Sequence, residues 1–434
     1  MLENRDRSLR FTMLIFLLVF VSASLLLACR SNDSHQSPGS IEKTKITFWN
    51  GFTGPDGRTM WSIVEQFEKE HPQYEVEMEL IPWTTYFDKL MVSLGAGNPP
   101  DVFVLHENEM LNYIQHDAIL PLNKFIYGEQ GLPVSDFLES IWQRLVFDEQ
   151  IFGIPLDCHD LAVYYNKDYF RELGISPPEK LDASNFIPLA KQLTVDSNGD
   201  GKPDKWGFTF GGGMRRHFYT LIEQFGGRFI SQHADEYVID TDASKRALQY
   251  VYDTVDLHRI SPRPQFVGGN IWQGFLGGRI AMFADGIWMM NGLKAHGSFD
   301  WGVLPYPQLG SQKAVWGSSH VLCLPKYSDS INLEAAWTFV KYLSDKGVAW
   351  SEGGQLPARY SQLQSPAFLA KTEYKAFVDQ IPDFIFGPNN GYTVEIETRY
   401  EPYILSAVTG QEEIPEMTGE IEKAISSILR RDSE

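Results

Sequence analysis

The stretch KITFWNGFTGPDGRTMWSIVEQFEKEHPQYEVEMELI (Lys45–Ile81) carries two different apolar periods within one short run. Lys45–Trp49 reads as a strand that ends on a Gly-containing loop. Met60, Ile63, Val64 and Phe67 then recur at helical spacing, with Glu65, Glu68 and Lys69 on the opposite face. Tyr74, Val76, Met78 and Leu80 alternate with Glu75, Glu77 and Glu79, which predicts a half-buried strand. Phe87, Leu90, Met91 and Leu94 make a second helical stripe, stopped by GAGNPP, and DVFVL (Asp101–Leu105) is a third strand. Strand, helix, strand, helix, strand with loops this short calls for right-handed crossovers and a parallel sheet. The fold class is therefore α/β.

The pattern recurs downstream. IFGIPLDCHDLAVYYNKDYF (Ile151–Phe170) holds two strand-like segments around a polar break at Asp157–Asp160. Leu248, Val251, Tyr252 and Val255 share a helical stripe, as do Ala336, Phe339, Val340 and Leu343. GRIAMFADGIW, WGVLPYP and SHVLCLPK are further strands, and no internal repeat is visible. About 390 residues follow the N-terminal region, which suggests two domains rather than one.

The N-terminus has its own character. Arg5, Arg7 and Arg10 precede Phe11–Ala28, which contains no charged residue. A basic head, an apolar run and small residues before a break are the parts of an export signal, here residues 1–28. Leu26-Leu27-Ala28-Cys29 resembles the bacterial lipobox, in which the cysteine is acylated and becomes the first residue of the mature chain. Two or three acyl chains on Cys29 would hold a soluble body stably at a membrane. Residues 29–44, rich in Ser and other polar types, read as a flexible tether.

A formal net charge of −19 argues against nucleic-acid binding, which needs clustered Lys and Arg. Of the three cysteines, Cys158 and Cys323 remain after Cys29. Without CxxC or Cys/His spacing they suggest neither zinc nor redox chemistry, and two buried free thiols is the simpler expectation over one disulfide.

Ligands of open α/β sheets settle beyond the carboxyl ends of the strands. That rule selects Asn50–Thr53, His106–Asn108, Asp157–Asp160, Asp285–Trp288 and Gly317–His320, loops rich in polar, Gly and aromatic types. Indole beside carboxylate suits a sugar, whose C–H face stacks on the ring while its hydroxyls donate to the acid. Set against this, any single Trp is more often core than site.

At these residues the chain resembles the extracellular solute-binding proteins of ABC importers, in the group that binds sugars and oligosaccharides. The resemblance rests on ITFWNGFTGPDGRTMWSIVEQFEKEHP, LMVSLGAGNPPDVFVL, GIPLDCHDLAVYYNKDYF, DSNGDGKPDKWGF, IAMFADGIWMM, LPYPQLG, EAAWTFVKYL and GGQLPAR, in that order after the lipobox. It implies a two-lobed periplasmic-binding-protein-like fold, each lobe a mainly parallel sheet flanked by helices, with a hinge crossed more than once. Residues 45–154 and 318–370 would form the N-terminal lobe, and 155–317 and 371–434 the C-terminal lobe. It implies a non-enzymatic, monomeric protein that closes on a carbohydrate and delivers it to permease subunits driven by a cytoplasmic ATPase. The ligand positions it implies are Phe52, Thr53, His106, Asn108, Asp157, His159, Arg216, Tyr219, Trp272, Asp285, Trp288, Gly317, Ser318 and Arg359, with Glu397 and Arg399 as outliers. His159 departs from the pattern, because relatives often carry an acid there.

Three further readings stay open on the sequence. Asp196, Asn198, Asp200 and Asp204 fall at positions one, three, five and nine of a calcium loop, but Gly207 stands where a bidentate Glu belongs. The loop is thus either a structural calcium site or an Asx-rich turn, and no other cofactor is expected. An exported carbohydrate-active enzyme would need two carboxyls across a bond, and Asp157 and Asp285 are the pair to consider. A ligand-presenting partner of a membrane sensor would share the fold of an importer subunit.

Overall fold

The computed structural model describes residues 43–229, 238–239, 241–263, 271–327 and 330–430. The export signal, nearly all of the tether and Cys29 lie outside these residues. In chain order the strands are β1 (Thr44–Asn50), β2 (Tyr74–Leu80), β3 (Val102–His106), β4 (Val146–Phe147), β5 (Gln150–Ile151), β6 (Ile154–Pro155) and β7 (Asp157–Asn166). There follow β8 (Thr209–Phe210), β9 (Met282–Gly286), β10 (Trp301–Pro305), β11 (Val315–Ser318), β12 (His320–Cys323), β13 (Leu356–Pro357) and β14 (Phe384–Ile385).

The first lobe is built on the order β2-β1-β3-β12-β6. Side-chain alternation decides its layers. Ile46, Phe48, Val102, Val104 and Leu322 face one way and pack with Met60, Ile63, Val64 and Phe67 of the helix Pro55–Glu70 and with Phe339, Val340 and Leu343 of the helix Ser330–Asp345. Phe103, Leu105, Val321 and Cys323 face the other way and pack with Tyr86 and Leu90 of the helix Trp83–Gly95. Period-two strands between period-3.6 stripes give helix, sheet, helix.

The second lobe is ordered β14-β11-β7-β9-β8, with β10 and β13 also on β7. Leu161, Val163, Met282 and Ala284 join the cluster formed with the helices Met214–Gln224, Asp242–Val255, Thr393–Thr409 and Ile414–Leu429. Ala162, Tyr164 and Phe283 join the cluster on the opposite face.

Three sequence expectations are modified. The sheets are mixed: β1–β2, β1–β3, β8–β9 and β11–β14 are parallel, whereas β12 and β7 pair antiparallel with their other neighbours. The strands that return through the hinge enter each sheet from the opposite direction, which breaks the βαβ rule of the first limb. Asp157–Asp160 is no break but the start of β7, a strand buried along its whole length. The chain crosses between sheets at Leu156, joining β6 to β7, and at Ser319, joining β11 to β12. The third passage comes earlier than residue 370, because β13 already pairs with Cys158 and Asp157, and Leu363, Phe368, Tyr374 and Phe377 pack with β7 and β9. Both lobes together, Thr44–Glu434, make one compact unit. Among the described residues no helix is long and apolar enough to cross a membrane.

Candidate functional site

The strand ends of the two lobes enclose a cleft of about 960 Å3. From the first lobe it is lined by Thr53, Asp56, Trp83, His106, Asn108, Glu109 and His320, and from the second by His159, Arg216, Asp285, Trp288, Trp316 and Ser318. A volume of this order suits a small-molecule ligand.

Aromatic rings form its walls. Trp83 stacks on His320, with centroids 5.6 Å apart and planes 11° from parallel, and lies 4.7 Å from His106. Across the cleft Trp288 and Trp316 meet edge to face at 6.3 Å. His159 bridges the two sides, 4.6 Å from His320 and 5.7 Å from Trp316. Glycines make room for the indoles. A Cβ on Gly51 would fall 2.1 Å from the Trp83 ring, and one on Gly286 would fall 2.1 Å from the Trp288 ring.

Asp157 fastens the floor. Trp350 Nε1 donates to its Oδ2 at 2.7 Å, and the His320 backbone N–H donates to Oδ1 at 3.1 Å. His320 Nδ1 lies 2.8 Å from Oδ2, and His159 Nδ1 lies 3.3 Å from Oδ1. Burial pushes this carboxyl up, but the His320 charge and the bonds from both imidazoles hold it well below the usual carboxylate range. Because their Nδ1 atoms turn to the carboxylate, His159 and His320 present their other ring nitrogen as the free edge. Burial, followed by its neighbours His320, His159 and Arg216, keeps His106 far below its ordinary range, so this imidazole is a neutral hydrogen-bonding group near pH 7.

Carboxyls supply the remaining polarity. Asp285 accepts from the backbone N–H of Gly286 at 2.7 Å and of Gly212 at 3.2 Å, and burial raises it to about 6. Burial, then the charges of Glu397 and Glu107, raises Glu109 well above the normal range. Ser318 Oγ donates to Glu107 Oε2 at 2.6 Å, a contact that joins the two lobes at the floor.

Of the residues singled out in the sequence, Thr53, His106, Asn108, His159, Arg216, Asp285, Trp288 and Ser318 come together on the cleft. Six stand elsewhere. Phe52 is core, packed on Trp83, His320 and Trp350. Asp157 lies behind the imidazoles, with its oxygens committed to them and to Trp350, so the pair Asp157 and Asp285 does not flank an open space. Tyr219 is buried against Tyr400 and Glu397. Trp272 packs near Phe283, and Gly317 backs onto the Phe384 ring. Arg359 pairs with Asp345 at 2.8 Å and lies over Phe137, away from the cleft. Arg399 lines an adjoining hollow instead, whereas Glu397 reaches the cleft itself. The Asp196–Asp204 loop lies at the surface, where Asp196 accepts from the N–H groups of Gly199 and Gly201, and Asp204 accepts from the N–H of Ser197.

Sequence reasoning missed Trp83 and Trp316. Trp83 follows the end of β2 and the same strand-end rule would have found it. Trp316 lies inside β11, where only tertiary packing marks it.

With this geometry in place, comparison with known proteins is decisive for the family. The profile of the bacterial extracellular solute-binding proteins matches residues 52–350. The chain belongs to that family. A binding protein of Brucella abortus is 22% identical over 380 residues, covering 84% of this chain and 86% of the relative. Among solved structures, the ABC substrate-binding protein of Listeria monocytogenes in complex with cycloalternan superposes with a TM-score of 0.80 at 22% identity, over 89% of this chain and 99% of the other. The maltose/maltodextrin-binding domain from Bdellovibrio bacteriovorus bound to maltotriose gives 0.76 at 19%, over 89% and 100%. Likeness at such identity establishes the two-lobed fold, and the family membership makes this chain an extracellular solute-binding protein.

Proposed function

We propose that this chain is the substrate-binding lipoprotein of an ABC importer, capturing a sugar or oligosaccharide between its lobes and delivering it to membrane permease subunits coupled to a cytoplasmic ATPase. The observation that carries the reading is the cleft itself, with indoles on both walls and imidazoles and carboxyls between them. Ring faces supply stacking for sugar C–H groups, and the polar atoms supply hydroxyl partners. A hollow of about 770 Å3 adjoins the cleft and shares Asp88, Glu109, Val394 and Thr398 with it, which favours an oligosaccharide over a monosaccharide. The relatives that carry cycloalternan and maltotriose support the same solute class. Acylation of Cys29 would keep the loaded protein beside its permease.

Closure over the solute is a hinge motion at Leu156 and Ser319, driven by what the ligand gains in the closed form over the open one. A thermal-shift screen over mono- and oligosaccharides, polyols and sugar phosphates tests the reading. A ligand at a hundredfold excess over Kd adds about 2.7 kcal/mol of stability. A cleft ligand should come back unchanged from prolonged incubation. Turnover at enzyme-like rates, or stabilisation by none of the sugars, would refute the assignment.

A further inference from the structure

Arg215 and Arg216 are neighbours in sequence with opposite surroundings. Arg215 Nε lies 2.9 Å from Glu397 Oε2, and its Nη1 donates to Glu401 Oε2 at 2.9 Å. Both glutamates come from the helix Thr393–Thr409, so Arg215 has its counter-charge there with one negative charge to spare. Arg216 turns into the cleft, its guanidinium carbon 5.0 Å from the Trp288 ring centroid and 4.9 Å from that of Trp316. Among the described residues it has no ion pair, and its Nε is buried without a hydrogen-bond partner. Asp285 is the carboxylate that faces it, but Asp285 accepts from the backbone of Gly212 and Gly286 instead. Burial and the like charge of Arg215 lower Arg216 to about 10, against the weaker upward pull of Asp285, Glu397 and Glu401. The helix Met214–Gln224 opens beside it from Gly213, at φ 73°, with no side-chain cap, so the positive end of its dipole also points to this corner.

We propose that the solute carries a carboxylate and that Arg216 is the group that recognises it: the substrate class is an acidic oligosaccharide bearing a uronic acid. The inference rests on the carbohydrate reading above and adds its charge. A planar carboxylate matches the guanidinium fork in two parallel hydrogen bonds, while the sugar ring lies against Trp288. Arg216 is partly exposed in the empty cleft, and a neutral sugar filling it would strip water from the guanidinium without supplying a hydrogen-bonded counter-charge. The cleft also holds acids that an anionic solute must tolerate: Arg215 offsets one of the two charges of Glu397 and Glu401, and burial raises Glu109, Asp285 and Asp56 toward their neutral forms.

The test is calorimetric titration of the detergent-solubilised full chain with matched pairs. Oligogalacturonate, oligomannuronate and glucuronoxylan trisaccharides are each set against the same oligomer with its carboxyl groups reduced to hydroxymethyl. At least one acid member is expected to bind about 10- to 100-fold more tightly than its reduced partner. That advantage should shrink in high salt, fall to the reduced partner's level in Arg216→Met, and be partly retained in Arg216→Lys, with melting curves verifying that both variants fold. Equal or tighter binding of the neutral members would overturn the inference and leave the carbohydrate reading standing. So would preference for sulfated or phosphorylated sugars over uronates. An acid preference that survives Arg216→Met would remove Arg216 from the role. Failure of every sugar, acidic and neutral, would overturn both readings.

Discussion

Trp83 and Trp288 occupy space that a Cβ would take at Gly51 and Gly286, so the cleft walls depend on residues that carry no side chain at all. The Gly286→Ala substitution must push the Trp288 ring away, and overpacking of that kind costs about 1–3 kcal/mol. It is expected to lower the melting temperature by a few degrees and to abolish the ligand-induced shift. Trp288→Ala should abolish the shift as well, because the platform itself is gone, while the fold persists on the packing of Tyr164, Phe283 and Ile287 beneath it. Thermal melts with and without ligand for both variants decide the point. Full affinity in either one would mean that the sugar ring rests elsewhere, with Trp83 the next candidate.

At the scale of elements, β7 explains what the sequence could and could not tell. The stripe Met60, Ile63, Val64, Phe67 was readable because its helix buries one face and leaves charges on the other. β2 was readable for the same reason in period two. β7 has partners on both edges and packing on both faces, so its polar residues cannot be seen as buried until their partners are placed. Asp157 meets His320 and Trp350, and Asp160 meets Gln380 at 2.9 Å, from segments more than 150 residues away. Local pattern therefore reported a loop. Of the cleft, the strand-end residues were legible, whereas Trp316 and the sorting of Arg215 from Arg216 required the tertiary contacts.

The same element carries a pH dependence. Burial lowers His159 to about 4 and, on the neighbouring helix Met214–Gln224, His217 to about 3. A base whose folded pKa is depressed binds its proton more readily when unfolded. Its stabilising contribution is complete above the unfolded value of about 6.5 and is lost as pH falls toward the folded value. Asp285, raised to about 6, acts with the opposite sign and gains stability as pH falls from about 6 toward 4. Asp157 pulls His159 up, but burial, His320 and Arg216 outweigh it, and at His217 Arg216 acts in the same direction as burial. Glu109, Glu107 and Asp160, also raised by burial, act with the sign of Asp285, and His106 acts with that of the two histidines, so each contribution is read by difference. Between about pH 6.5 and 4 the denaturation midpoint of the parent is expected to lose ground to that of His217→Gln, which lacks one of the depressed imidazoles. A difference between parent and variant that stays constant over that range would show that His217 is charged in the folded protein.

Across the whole molecule, function depends on two lobes that are distinct bodies at the cleft and yet share one unit at the hinge. Cys158, at the start of β7, and Cys323, at the end of β12, lie on the strands that directly follow the crossings at Leu156 and Ser319. Both thiols are free and buried, and burial raises both far above the ordinary range, so neither is reactive while its surroundings hold. They separate two kinds of opening. Rotation of the lobes about the crossings exposes cleft residues but leaves Cys158 under β13 and Cys323 within its own cluster. Unfolding exposes both. A thiol reagent added to the native protein is therefore expected to modify neither cysteine on the timescale of ligand exchange, with or without solute. In mild denaturant the two should react together, and saturating solute should slow them by the factor 1 + [L]/Kd, since ligand binds only the folded form. Rapid modification of ligand-free protein in the absence of denaturant, suppressed by solute, would place the moving boundary through β7 and β12 themselves, and the hinge would have to be redrawn inside the sheets.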